Sequence, residues 1–398
     1  MRTPVLLVAG QGSSDEVTGA LLRQRGTAVV EHRFDGQVVR RSVITLDRGE
    51  LRTNHEALEL AHGCLSCTIR NDLLVLLRKL HRRSNVDRIV VHLASWLEPE
   101  PVCWAINHVR VRVGPGYPDG PAAVDVRIAG VVTCVDADNW LGQSLGDDVL
   151  PDGRTVAQAA VGQAEFADLL VLTRPEPVTL AVLRRLAPRA RITVGSDRVE
   201  LALANLDEQS RCGRSDHPHG PLLAGLPPLA PDGGVSLVEF NARRPFHPER
   251  LHASVDTLLD GVVRTRGRLW LANRPDQVMW LESAGGGLRV ASAGKWLAAM
   301  TPSEAAYADR ERRLFADLLW EYQHGDRHTA MTVLVCGADP ADVTNALSAA
   351  LLTDAEMAYP DSWRGYQDPF GDWHQDPCHE LPDEAGEFSA HRNDGRRG

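Results

Sequence analysis

The chain opens on a wholly apolar run, Pro4–Ala9 (PVLLVA), with no polar position alternating through it. Such a run predicts a strand buried on both faces, as in a parallel sheet covered by helices. Gly10–Ser14 then makes a turn, after which Val17, Leu21 and Leu22 recur at helical spacing. Further along, Asp72–Leu80 predicts a helix. Asp87–Leu93, Gly130–Val135 and Asp168–Leu172 predict buried strands, and Arg191–Val194 one more. Strands alternating with helices predict an α/β domain on a doubly wound parallel sheet.

The pattern changes after residue 206. Asp207–Gly234 is dense in Gly, Pro, Ser and Asp, as in an interdomain linker. Val235–Phe240, Arg268–Ala272, Gln277–Ser283 and Met331–Cys336 then predict strands. Pro248–Leu259, with Leu251, Val255, Leu258 and Leu259 on one face, and Pro340–Leu352 predict helices. This is the signature of a smaller α+β domain. The expected division is 1–206 for the first domain, 207–234 for the linker, 235–358 for the second domain and 359–398 for an extended tail.

Composition narrows the class. The 398 residues allow two or three cores, and 43% hydrophobic with 24% charged residues is ordinary for a globular chain. No run approaches the roughly eighteen apolar residues of a membrane span, and no basic-then-apolar segment opens the chain. The expectation is a cytoplasmic protein with no membrane partner. A net charge of −10 argues against DNA as a partner, since DNA affinity rests on neutralising phosphates. The seven cysteines, odd in number and irregular in spacing, predict no disulfide framework. The only lysines are Lys79 and Lys295.

That scarcity bears on the first turn. A strand, a glycine, four residues and then Gly-Lys-Ser/Thr at a helix start form the phosphate cradle of P-loop enzymes. Here the frame reads Gly10-Gln11-Gly12-Ser13-Ser14-Asp15-Glu16-Val17-Thr18. Asp15 stands for the second glycine, Glu16 for the lysine and Val17 for the magnesium hydroxyl, with Thr18 beside it. Like charge opposes a triphosphate at this place. The loop therefore reads as a plain strand–turn–helix.

Gly63-Cys64-Leu65-Ser66-Cys67-Thr68-Ile69-Arg70-Asn71-Asp72-Leu73 resembles the Gly-Cys-x-Cys-Cys-Thr-x-Arg-x-Asp-Leu hallmark of the CobW-like family of GTPases and metallochaperones. The resemblance extends through Asp87–Val102, Gly130–Asp136, Phe166–Glu176, Arg244–Pro248, Arg264–Ala272, Gly325–Arg327 and Leu351–Glu356, roughly residues 4–357. It implies a P-loop-type sheet domain followed by a smaller CobW C-terminal-type α+β domain. It also implies three departures. The Asn-Lys-x-Asp that reads guanine appears as Thr173-Arg174-Pro175-Glu176, and the Glu and Gly of the switch segment as His92 and Ser95. With the phosphate loop, three nucleotide motifs are replaced. The expectation is a pseudo-GTPase without catalytic residues, using neither GTP nor magnesium.

In the family three thiolates bind zinc or a similar ion, and the middle one is Ser66 here. Cys64 and Cys67 keep a two-residue gap that suits one metal, zinc being the candidate cofactor. Two thiols kept for packing is the alternative. His55 and His62 are candidate further ligands. The chain resembles the degenerate branch of the family made under zinc starvation. That likeness implies ribosome hibernation, with the ribosome and a hibernation-promoting protein as partners. The alternative is a GTP-dependent zinc metallochaperone.

Other clusters are weaker. Cys212, Asp216, His217 and His219 in the linker read as a solvated loop sooner than a metal site. Among the tail aromatics, Trp363, Tyr366, Phe370 and Trp373 cover the second sheet or anchor a partner, near His374, Cys378 and His379. Arg264, Arg266 and Arg268 read as a solvated edge, and Cys103, Cys134 and Cys336 as core.

Overall fold

The apolar runs read from the sequence line the centre of an eight-stranded sheet. The computed structural model describes residues 1–60 and 64–371. In chain order the first part comprises β1 (Thr3–Gly10), α1 (Ser14–Leu22), β2 (Thr27–Phe34), β3 (Val39–Asp47), β4 (Glu50–Leu58), α2 (Leu65–His81), β5 (Arg88–His92) and α3 (Pro99–His108). A two-residue ladder, β6 (Arg110–Val111) with β7 (Gly120–Pro121), precedes β8 (Val126–Val135), α4 (Trp140–Leu145), α5 (Val156–Glu165), β9 (Leu169–Leu172), α6 (Pro177–Leu186), β10 (Arg191–Val194) and α7 (Val199–Ala204).

The sheet order is β10-β9-β8-β1-β5-β2-β3-β4. The first six strands are parallel, and β3 and β4 add an antiparallel edge hairpin. Leu6 and Val8 pack against α1 and α7 on one face, while Val5 and Leu7 meet α2 and α3 on the other. Both faces of β1 are therefore dry, which is why its sequence shows no alternation. The segment 27–58, for which no element was expected, supplies three strands. Every residue of β4 but its last is exposed, so no apolar stripe marks it.

The second part is a five-stranded antiparallel sheet. It comprises β11 (Val235–Ala242), α8 (Pro248–Ala253), β12 (Val262–Leu269), β13 (Gln277–Ala284), β14 (Gly287–Lys295), α9 (Pro302–Tyr307), α10 (Arg310–Leu319), β15 (Thr329–Cys336), α11 (Pro340–Ala350) and α12 (Asp354–Met357), ordered β11-β15-β12-β13-β14. The strand expected at Arg268–Ala272 lies earlier, because Trp270 and Ala272 leave the sheet to pack with Trp296 and Trp363. The helix expected over Pro248–Leu259 stops at Ala253 and tightens into a 3-10 turn over Val255–Leu258.

The two sheets share one apolar cluster, in which Ala157 and Val161 of α5 and Val182 of α6 meet Val235, Val263 and Leu334. At the same seam Glu165 binds Arg264 at 2.8 Å and Arg266 at 2.9 Å, all three side chains being largely buried. The arginine group is thus an interior ionic lock and not the solvated edge expected. Arg268 is 2% exposed and donates to the carbonyls of Pro218 and Gly220.

The segment 207–234 is packed in its middle, where a solvated loop was expected, while His217 and residues 228–234 are exposed. Asp216 pairs with Arg189 and Arg211, and His219 is buried with its ring on the Ala293 carbonyl. The tail begins as packed structure. Trp363 is buried and donates to the Glu356 carbonyl, the Tyr366 ring lies tilted against His247 with centroids 4.3 Å apart, and Phe370 meets His252 edge-on. These aromatics cover the second sheet domain. Trp373, His374, Cys378 and His379 lie outside the described residues.

Candidate functional site

The first turn is built by close approach. Gly10 has φ +103°, and a Cβ there would lie 2.1 Å from the Cys134 carbonyl oxygen; one at Gly12 would lie 2.9 Å from the Asp136 amide nitrogen. Both glycines are therefore required by contact with the end of β8. The Ser14 N–H donates to Gly12 O at 2.8 Å, and the Gln143 amide donates to Gln11. Thr18, nearest to the magnesium position, is buried, and its hydroxyl donates to Ser14 O at 2.7 Å. The hydroxyl is committed to its own helix. Glu16 is exposed, while Asp15 leans toward Arg33 and His92.

The guanine segment is likewise engaged within the chain. Thr173 accepts from the Ala137 N–H at 3.1 Å, and Arg174 pairs with Asp138. Glu176 caps α6, accepting from the Thr179 N–H at 2.6 Å, and that hydrogen bond holds its carboxyl below the usual range. A capping carboxylate is turned to its own helix. The switch segment is pinned as well: Gln163 of α5 donates to the Ser95 and Leu97 carbonyls, and Arg154 holds Glu98.

His92 ends β5, and its place was read only as a lost acidic anchor. The structure sets it beside Glu31 of β2, with which it is in register. Its Nδ1 lies 3.3 Å from Glu31 Oε1 and 3.9 Å from Asp15 Oδ1. The His92 contact, reinforced by Arg33, holds the Glu31 carboxyl below its usual range against the opposing effect of burial. Glu31 was missed by sequence reasoning, and no local signal marks it, because only strand pairing brings it here.

Cys64 caps α2, its sulfur accepting from the Cys67 N–H at 3.2 Å, and Arg70 approaches the Cys67 sulfur. The two sulfurs thus share the first helical turn. His55 is elsewhere, paired with Ser42 on the β3–β4 hairpin, and His62 and Gly63 lie outside the described residues. Asp72 of the motif holds His32 at 2.8 Å and Arg41 at 2.5 Å, fixing α2 to β2 and β3. Cys212 and His219 are separately engaged, with Cys212 against the Ala129 carbonyl. Among the described residues, the only group of three or more potential ligands with atoms within 4.8 Å of one another is Asp15, Glu31 and His92.

A parallel sheet of this order, a glycine turn and helix after its first strand, and an antiparallel domain behind it define a two-domain α/β protein of P-loop architecture. The chain belongs to the CobW family. Residues 27–195 match the CobW/HypB/UreG nucleotide-binding domain, and residues 235–351 the cobalamin synthesis protein cobW C-terminal domain. The first match begins beyond the loop Gly10–Thr18. The chain is similar to the zinc chaperone Rv0106 of Mycobacterium tuberculosis (strain ATCC 25618 / H37Rv), at 79% identity over 99% of each chain. It is 25% identical to the zinc-regulated GTPase metalloprotein activator 1 of Dictyostelium discoideum, over 82% of this chain and 72% of that one. The Zn(II)-bound YjiA GTPase from E. coli matches with a TM-score of 0.38 and 16% identity, over 88% of this chain and 99% of that chain. Among the described residues no helix is long and apolar enough to cross a membrane.

Proposed function

We propose that this chain is a non-catalytic CobW factor that promotes ribosome hibernation under zinc starvation, recruiting a hibernation-promoting protein to the ribosome. One observation carries the non-catalytic part: Asp15 and Glu16 stand where a triphosphate needs a glycine and a lysine, and Thr18 is turned to its own helix. Two unit charges about 4 Å apart interact by about 1 kcal/mol in water and about 4 kcal/mol at a protein-like dielectric. A triphosphate would meet several such repulsions with no lysine to offset them. A fold stripped of its nucleotide grip keeps its surfaces, so the action is stoichiometric. The ribosomal part rests on the likeness of the serine-centred cysteine motif.

Zinc enters through the zinc chaperone and the zinc-regulated activator that this chain is similar to, and through the donor set. Cys64 and Cys67 would hold it as two soft ligands on one helical turn, cross-linking that turn to whatever completes the tetrahedron. The name of the 79%-identical relative favours a second reading, GTP-dependent zinc delivery to a client.

The test is co-sedimentation of the hibernation protein with ribosomes from zinc-starved cells. Deletion of this chain is expected to leave that protein synthesised but off the ribosome. Wild type and Glu16→Ala should restore loading equally. Normal loading without the chain overturns the recruitment reading, and loading that requires added GTP and magnesium favours the nucleotide-dependent one.

A further inference from the structure

The place of the lost nucleotide is not empty of chemistry. β2 and β5 are hydrogen-bonded parallel neighbours, with Glu31 and His92 opposite one another near their C-terminal ends. Asp15 sits above them on the first turn of α1. Ligands of open α/β sheets bind outside the carboxyl ends of the strands. One imidazole nitrogen and two carboxylate oxygens converge at that position, drawn from three separate elements.

We propose that Asp15, Glu31 and His92 form a zinc-binding site in the former nucleotide pocket, separate from the Cys64–Cys67 pair. Zinc bonds of about 2.0–2.1 Å in a tetrahedron set neighbouring ligand atoms about 3.3–3.4 Å apart. His92 Nδ1 and Glu31 Oε1 already stand at 3.3 Å. The Asp15 oxygen, 3.9 Å from Nδ1, must move inward by about half an ångström to meet that same spacing. Its side chain is 80% exposed, whereas those of His92 and Glu31 are 10% and 15% exposed. Two ligands are held and the third is able to close.

Arg33 fits the same scheme. Its guanidinium lies 2.6 Å from Glu31 and 3.6 Å from Asp15, on a side chain 67% exposed. It supplies the positive charge that two neighbouring carboxylates need, and it can swing out when a metal arrives. The mixed nitrogen–oxygen set suits zinc better than magnesium, which prefers an octahedron of oxygens. Three protein ligands leave one coordination position open to water or another ligand, unlike closed structural sites. Occupancy then follows zinc supply. This inference does not depend on the ribosomal reading.

The test uses the full chain stripped of metal and titrated with zinc alone against a chromogenic chelator. The Cys64→Ser, Cys67→Ser double variant is expected to retain one zinc per chain. Cobalt loaded into it should show no thiolate charge-transfer band. Adding Glu31→Gln or His92→Gln to that background should weaken binding about a hundredfold or more, beyond what an outer-shell partner carries. Circular dichroism and the melting temperature of the metal-free proteins control for folding. Arg33→Ala should tighten binding several-fold by removing the competing cation. No zinc in the double variant, undiminished affinity after Glu31→Gln and His92→Gln, or weaker binding in Arg33→Ala each overturns the site.

Discussion

Acidification should weaken the C-terminal sheet domain through one buried imidazole. His328 is 7% exposed, beside the Trp296 ring. Its Nδ1 lies 2.8 Å from the Asp326 carbonyl, which can only accept, so Nδ1 carries the proton. Arg268 donates its Nε–H to Nε2 at 3.2 Å, so Nε2 must be the bare acceptor. A second proton would set an N–H against an N–H beside a buried guanidinium. Burial first, with Arg268 and Arg243 adding to it against the Asp326 carbonyl, pushes His328 down from 6.5 to about 4.

The sign follows from the direction of that change. The folded value lies below the unfolded one, so the unfolded chain takes up a proton that the folded chain refuses. Stability is whole above pH 6.5, falls as pH drops toward 4, and levels off below. The interval corresponds to about 3 kcal/mol in full and about 2 kcal/mol at pH 5. Gln at this position can accept from Arg268 and donate to Asp326 without titrating. His328→Gln should therefore be about 1 kcal/mol less stable than wild type at pH 8, for its poorer hydrogen bonds. The order should reverse near pH 5. Urea unfolding followed by tryptophan fluorescence at both pH values measures the difference. His219, lowered to about 4 mainly by burial, is present in both proteins and cancels. An unchanged difference between pH 8 and pH 5 would refute the assignment.

Three further outcomes are expected. Calorimetry should show no tight magnesium-dependent GTP binding, and Glu16→Lys alone should not create it, because Asp15 and His92 remain and Glu176 caps its own helix. Glu165→Ala leaves Arg264 and Arg266 buried without their main partner, and urea titration should show a loss of about 3–5 kcal/mol with the two sheet domains unfolding in separate steps. Trp363→Ala should cost about 3–5 kcal/mol in the same assay and expose Trp270, whose ring centroid lies 6.0 Å from it.

The sequence was most legible where a signal is local. Pro4–Ala9 had to be a strand dry on both faces, and β1 is one. The replacements at Asp15, Glu16, Thr173 and Glu176 are visible by counting along a motif. The elements that escaped notice lack such a signal. β4 is polar almost throughout and gains its place by pairing with β3. Trp270 and Ala272 look like strand residues, because an apolar run does not say whether its partner is a sheet or a tryptophan cluster.

What the sequence determined by itself was therefore periodicity and identity: which segments are apolar, which glycines precede the first helix, which residues occupy the loop after the first strand. Only the tertiary structure decided what stands beside that loop. Glu31 and His92 are distant in the chain and meet because β2 inserts beside β5. Arg264 and Arg266 look like a surface charge run until Glu165, from the other domain, closes over them. The reason is physical. A charge is indifferent to its sequence neighbours but interacts as the inverse of distance through a dielectric set by burial, and both quantities exist only once the chain has folded.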